Sequence, residues 1–144
     1  MSRVLRSLTA ALLLTAACAP LTHLHPGGVA PRPYTPVVRA GGFLYLAGQI
    51  GGDAAKGGAL VPGGIEGETR QVLENIKTLL AASGASMDRV VKCTVFLVDI
   101  GEWDRMNAVY RTYFAAGRYP ARTAVGVAGL PGGARVEIEC IARA

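Results

Sequence analysis

The spacing of apolar and polar residues changes several times along the chain, and each change marks an element. Val37-Val38-Arg39-Ala40, then Gly41-Gly42, then Phe43-Leu44-Tyr45-Leu46-Ala47 predict a strand, a tight turn and a second strand. Residues 51–64 hold six glycines with Asp53, Lys56 and Pro62, and predict a loop with a short strand at Ala59-Leu60-Val61. A phosphate cradle would need a following Lys-Ser/Thr or a GxGxxG turn, and neither is present. Val72, Ile76, Leu79 and Leu80 fall at i, i+4, i+7 and i+8, so Ile65–Ser83 predicts a helix. Glu66 and Glu68 suit its first turn, and Gly84 suits its stop. The β-branched run Arg89–Ile100 predicts a buried strand. Trp103, Met106, Tyr110, Tyr113 and Phe114 recur at helical spacing and predict a second helix over Glu102–Ala116, its aromatic stripe in the core. Arg122–Ala128 and Arg135–Ala142 predict two more strands, joined by a turn at Leu130-Pro131-Gly132-Gly133. In the last strand Val136, Ile138 and Cys140 share one face, and Glu137, Glu139 and Ile141 the other.

The order β-β-(β)-α-β-α-β-β is that of an α+β domain, with two helices on one face of a mixed sheet. A chain of 144 residues offers no third layer for the opposite face. Self-association through that face is the expected solution, which would place Glu137 and Glu139 near a subunit interface. Composition agrees with a single globular domain: 51% of residues are apolar and 17% charged, where a disordered chain would be far more polar.

The N-terminal segment reads as an address. Arg3 and Arg6 precede an apolar run, Ser7–Ala17, too short to span a bilayer of roughly 30 Å. Residues 1–17 therefore predict a signal peptide. Leu14-Thr15-Ala16-Ala17-Cys18 is similar to a bacterial lipoprotein box with Cys18 as the lipidated residue, and Ala19 in place of Asp would permit outer-membrane sorting. The expected location is the periplasm or a lipid anchor on the outer membrane; a mis-annotated start would make it cytoplasmic. Residues 18–31, rich in Pro and Gly, predict a linker before a domain over 32–144. Loss of Arg3 and Arg6 takes the formal charge from +5 to +3, and the other arginines are spread singly. A nucleic-acid groove is not expected.

Both histidines, His23 and His25, precede the domain. This excludes His-based nucleophilic or metal chemistry within residues 26–144, and no Cys spacing suggests zinc. His23 and His25 themselves read as linker. Acid–base work falls to carboxylates, Tyr, Lys or backbone-held water. Cys93 and Cys140 lie in apolar strand-like runs and read as small buried hydrophobes; a disulfide would need a proximity that the sequence does not show.

Six segments occur in register: Pro33-Tyr34-Thr35, Leu46-Ala47-Gly48-Gln49-Ile50, residues 68–77 (ETRQVLENIK), residues 91–97 (VKCTVFL), Tyr119-Pro120-Ala121-Arg122-Thr123-Ala124, and Val136-Glu137-Ile138-Glu139-Cys140-Ile141-Ala142. Over residues 32–143 the chain resembles the RidA (YjgF) family of reactive-intermediate deaminases. The resemblance implies a chorismate-mutase-like fold, a homotrimer with active sites between subunits, and hydrolysis of 2-imino acids or their enamine tautomers to 2-keto acids and ammonia without a cofactor. It assigns carboxylate binding to Arg122, whose planar fork Lys imitates poorly. It assigns the attacking water to Glu137, closure of the cleft to Tyr34, and a substrate-binding backbone N–H to Ala124. This chain departs from the family's frequent residues at Ala124 (Cys), Gly101 (Asn), Gly126 (acidic) and Pro36 (Gln), changes expected to line or flank the cleft and widen it. The alternative is a non-catalytic trimeric ligand- or partner-binding lipoprotein on the same scaffold. Endoribonuclease activity, claimed for some relatives, would want a basic groove.

Overall fold

The computed structural model describes residues 20–28 and 32–144. Residues 1–17, where a signal peptide is expected, and Cys18 lie outside the described residues. The strands are β1 (Thr22–Leu24), β2 (Val37–Ala40), β3 (Phe43–Leu46), β4 (Gln49–Ile50), β5 (Gly52–Asp53), β6 (Ala59–Leu60), β7 (Val90–Leu97), β8 (Ala121–Gly126) and β9 (Val136–Arg143). The helices are α1 (Gly64–Ala82) and α2 (Trp103–Tyr110). The main sheet runs β1-β2-β3-β9-β7-β8, with β4 also paired to β9. Only β7 and β8 are parallel, and α2 makes the crossover that a parallel pair requires.

Local chemistry explains most of these elements. Gly41 and Gly42 take φ of 55° and 81°, the left-handed pair that a two-residue hairpin turn demands, and so fix the β2–β3 register. Helix α1 buries Ile65, Val72, Leu73, Ile76 and Leu80 against the sheet. Their partners on it include Leu44, Leu46, Val95, Leu97, Val136 and Ile138. Met106 and Tyr110 of α2 join the same core, with Trp103, Tyr113 and Phe114 packed at its margin, as the aromatic stripe predicts. The second helix is shorter than its periodicity predicts. It tightens into one 3-10 turn over Arg111–Tyr113, and Phe114 is already extended. The Tyr113 hydroxyl donates to Glu74 Oε1 of α1 at 2.9 Å, so this turn is held by a tertiary bond instead of a continued helix.

Both helices lie on one face, and the open face is left uncovered within the chain. Val38, Phe43, Tyr45, Phe96, Val125 and Ile141 share that face with Lys92, Glu137 and Glu139, by strand alternation and register. Ion pairs tie the helix starts to the turn before β9. Arg135 donates two bonds to Glu102, at 3.0 and 2.7 Å, and Arg105 two to Glu66, at 2.8 and 2.7 Å.

Two expectations are corrected. Residues 18–31 are not linker throughout, because Thr22–Leu24 pairs antiparallel with Val37–Arg39 and Leu24 packs on the core. Cys93 and Cys140 are not free thiols. They are register partners on β7 and β9, with Cα atoms 4.1 Å apart, and are joined as a disulfide. That spacing is that of a narrow antiparallel pair, where facing side chains stand closest. Among the described residues no helix is long and apolar enough to cross a membrane.

Candidate active site

Arg122 lies on β8, an edge strand, on the same face as its register partner Cys93 and therefore toward α2. Its guanidinium sits between two aromatic rings, 5.0 Å from the Trp103 centroid and 4.6 Å from that of Tyr110. Nη1 donates to Asn107 Oδ1 at 2.7 Å. Trp103, Asn107 and Tyr110 are spaced i, i+4 and i+7, so one face of α2 supplies all three contacts. Aromatic faces attract a cation and fix its plane, and the amide fixes its rotation. One of five N–H groups is thereby used, and the other four make no hydrogen bond among the described residues. They border a cavity of about 420 Å³ lined by Asn107, Tyr110, Arg111, Tyr119, Pro120 and Arg122. The planar fork is thus held ready for a carboxylate.

Glu137 lies elsewhere. It pairs with Phe96 of β7 and with Ile50 of β4, on the open face. Its carboxylate rests on Gly48: a Cβ built there would overlap Oε1 and lie 2.9 Å from Cδ. Gly48 has no unusual φ, so close approach alone explains the glycine. Burial, and secondarily the charge on Glu139, raise the Glu137 pKa above the ordinary carboxylate value. Gln49 Nε2 donates to the Ala47 and Gly48 carbonyls at 2.9 and 3.1 Å, which stiffens this seat. The Ala47 N–H donates to the Pro36 carbonyl at 2.9 Å, which ties the segment carrying Tyr34 to the same loop. Tyr34 is exposed, beside Arg32.

The candidate residues of one chain therefore fall into two groups, the candidate half-sites. Gly48, Glu137 and the Tyr34 segment form one. Arg122, Asn107 and the aromatic pair form the other. Strands β9 and β8 are two strand spacings apart, about 10 Å, and Arg122 and Glu137 point to opposite faces of the sheet. Ala124 lies two residues beyond Arg122 on the same face, against the core margin. Within a single chain, Pro36, Gly101 and Gly126 are not among the residues around the Arg122 cavity, and Pro36 belongs instead to the segment tied to the Gly48 loop. Gly101 instead donates its N–H to Asp99 Oδ1 at 2.8 Å in the turn before α2. Asn107 and Gly48 were not singled out by the sequence reading. The signal for Asn107 was available, as a lone amide on an aromatic helix face; that for Gly48 needs the β4–β9 register. No group of three or more His, Cys, Asp or Glu side chains that could hold a metal occurs among the described residues.

Comparison with known proteins agrees with this architecture. A family model described as Endoribonuclease L-PSP matches residues 27–144. The 2-iminobutanoate/2-iminopropanoate deaminase of Mus musculus is 46% identical over 110 residues, covering 76% of this chain and 80% of that protein. Among solved structures, yeast YEO7 superposes with a TM-score of 0.79 at 38% identity, covering 86% of this chain and 98% of its own. E. coli TdcF with bound serine gives 0.72 at 34%, covering 85% and 95%. With these matches spanning nearly the whole described fold, the chain belongs to the RidA (YjgF) family.

Proposed function

We propose that the protein hydrolyses 2-imino acids, or their enamine tautomers, to 2-keto acids and ammonia. The observation that carries this reading is the Arg122 guanidinium, held between two rings with its donor edge free in a cavity. The mouse relative's name and the amino acid bound by the E. coli relative support it.

In this reading Arg122 binds the substrate carboxylate through two parallel hydrogen bonds, and the Ala124 N–H adds a third contact. The imine carbon is then fixed for attack. Glu137 accepts a proton from water as the water oxygen bonds to that carbon. The carbinolamine nitrogen takes that proton, the hydroxyl gives up its own to Glu137 as the C=O bond forms and the C–N bond breaks, and ammonia leaves. A carboxylate made more basic by burial suits this transfer. Tyr34 closes the cleft. The two half-sites of a chain face opposite sides of its sheet and do not share one substrate, so each site forms between chains. The uncovered sheet face supplies the interface, and the assembly is the trimer that the family resemblance implies.

We also place the protein in an oxidising compartment, consistent with an exported, Cys18-lipidated chain. The Cys93–Cys140 disulfide supports this, since such bonds are rare in the cytosol.

The test is ammonia release from freshly generated 2-iminopropanoate. Acceleration over buffer, lost in Arg122→Ala, is the expected result. A folded oligomer that gives no acceleration would refute the deaminase reading.

A further inference from the structure

The Arg122 cavity holds more donors than a monocarboxylate needs. Arg111 lines it beside Arg122, and none of its lining residues is a carboxylate. Arg111 makes no ion pair among the described residues. It follows directly on Tyr110, in the 3-10 turn that ends α2, and is exposed. Tyr110 is 3% exposed, and its buried hydroxyl has no hydrogen-bond partner. The hydroxyl is enclosed, so what Tyr110 offers the cavity is its ring, stacked on Arg122. The cavity, about 420 Å³ in a single chain, lies within the range of small-molecule sites, roughly 300–1,000 Å³, and places two guanidinium side chains along one lining.

Resting on the deaminase reading above, we propose that this cavity selects dianionic substrates, namely 2-imino dicarboxylic acids of about five carbons, with Arg122 taking the carboxylate beside the imine and Arg111 the distal one. Water adds across the C=N bond, the C–N bond breaks, ammonia leaves, and the 2-oxo dicarboxylate remains. No oxidant or reductant enters. Arg111 thus sets specificity, and Arg122 serves every 2-imino acid alike.

The product 2-oxo acids allow a test by calorimetry that does not depend on turnover. The probes are 2-oxoglutarate and 2-oxobutanoate, titrated into the full-length protein at low and at 0.3 M salt. We expect 2-oxoglutarate to bind about five-fold more tightly at low salt, the scale of one partly exposed ion pair, with the preference shrinking as salt rises. Arg111→Glu should invert the ratio and Arg111→Lys retain most of it. Equal affinities, or a ratio unchanged in Arg111→Glu, would overturn the proposal. Ammonia release from 2-iminopropanoate, measured alongside, separates the two claims. Turnover without the dicarboxylate preference leaves the deaminase reading standing and the proposal refuted. Preference without turnover of either imine refutes the deaminase reading and leaves the dianion site in place.

Discussion

Reduction of the Cys93–Cys140 disulfide should cost the protein a large part of its stability. The bond closes a loop of 47 residues between β7 and β9. Cross-linking such a loop removes about 14 cal/mol/K from the unfolded chain in the loop-entropy treatment, or about 4 kcal/mol at 25 °C. Typical domains have only about 5–15 kcal/mol in total. Both cysteines are almost wholly buried, at 1% and 2% exposure, so reductant acts on opened molecules and not on the native surface. Urea unfolding, followed through the single tryptophan, Trp103, with and without a phosphine reductant, reads the effect. With a slope of about 2 kcal/mol/M, the midpoint should fall by about 2 M. The slope itself should rise on reduction, because the unfolded chain is freed to expand. Coincident midpoints, in samples shown by titration to differ by two thiols, would refute the entropic argument. Equal thiol counts in the denatured protein with and without reductant would refute the pairing itself.

Three further outcomes test the half-sites. Arg122→Lys should lose kcat/KM by about 10–100-fold and approach Arg122→Ala, since an ammonium gives neither the fork nor the stacking on Trp103 and Tyr110; steady-state ammonia release checks it. Gly48→Ala should displace the Glu137 carboxylate and lower kcat by about 10–100-fold, while circular-dichroism melting shows the fold retained; unchanged kcat would remove Glu137 from the chemistry. Activity should fall as pH is lowered through the raised Glu137 pKa, and Glu139→Gln should move that acid limb to lower pH, because the Glu139 charge helps to hold the proton on Glu137. The stability sign is opposite to that of a salt-bridged carboxylate. With the folded pKa above the unfolded one, the Glu137 contribution is fullest below the unfolded pKa and declines as pH rises through the folded pKa.

What could be read from the residues was whatever one segment decides by itself. The Gly41–Gly42 turn, the apolar stripe of α1 and the two faces of β9 all follow from local period, and all appear in the structure. The open sheet face followed from counting layers. Pairings between distant segments were not legible. Thr22–Leu24 is only three residues long and is bounded by Pro20 and Pro26, so its strand exists through Val37–Arg39. The disulfide likewise depends on β9 inserting beside β7 in one register, which no property of either cysteine reveals. Arg122 and Glu137 were legible only as a family resemblance. That they belong to separate half-sites, and that Asn107 and Gly48 hold them, is a property of the sheet order.

The position of β9 bears on how the protein folds. It is the latest strand of the sheet in chain order, yet it is the one on which β3, β4 and β7 all pair. Without residues 136–143 the β2–β3 hairpin and the β7–α2–β8 unit share no strand pairing. Sheet centre, crosslink and carboxylate therefore arrive together, through contacts of long sequence separation, whose loop-closure cost slows folding. The same strand delivers Cys140 to its partner, so the crosslink forms only once β9 has seated beside β7.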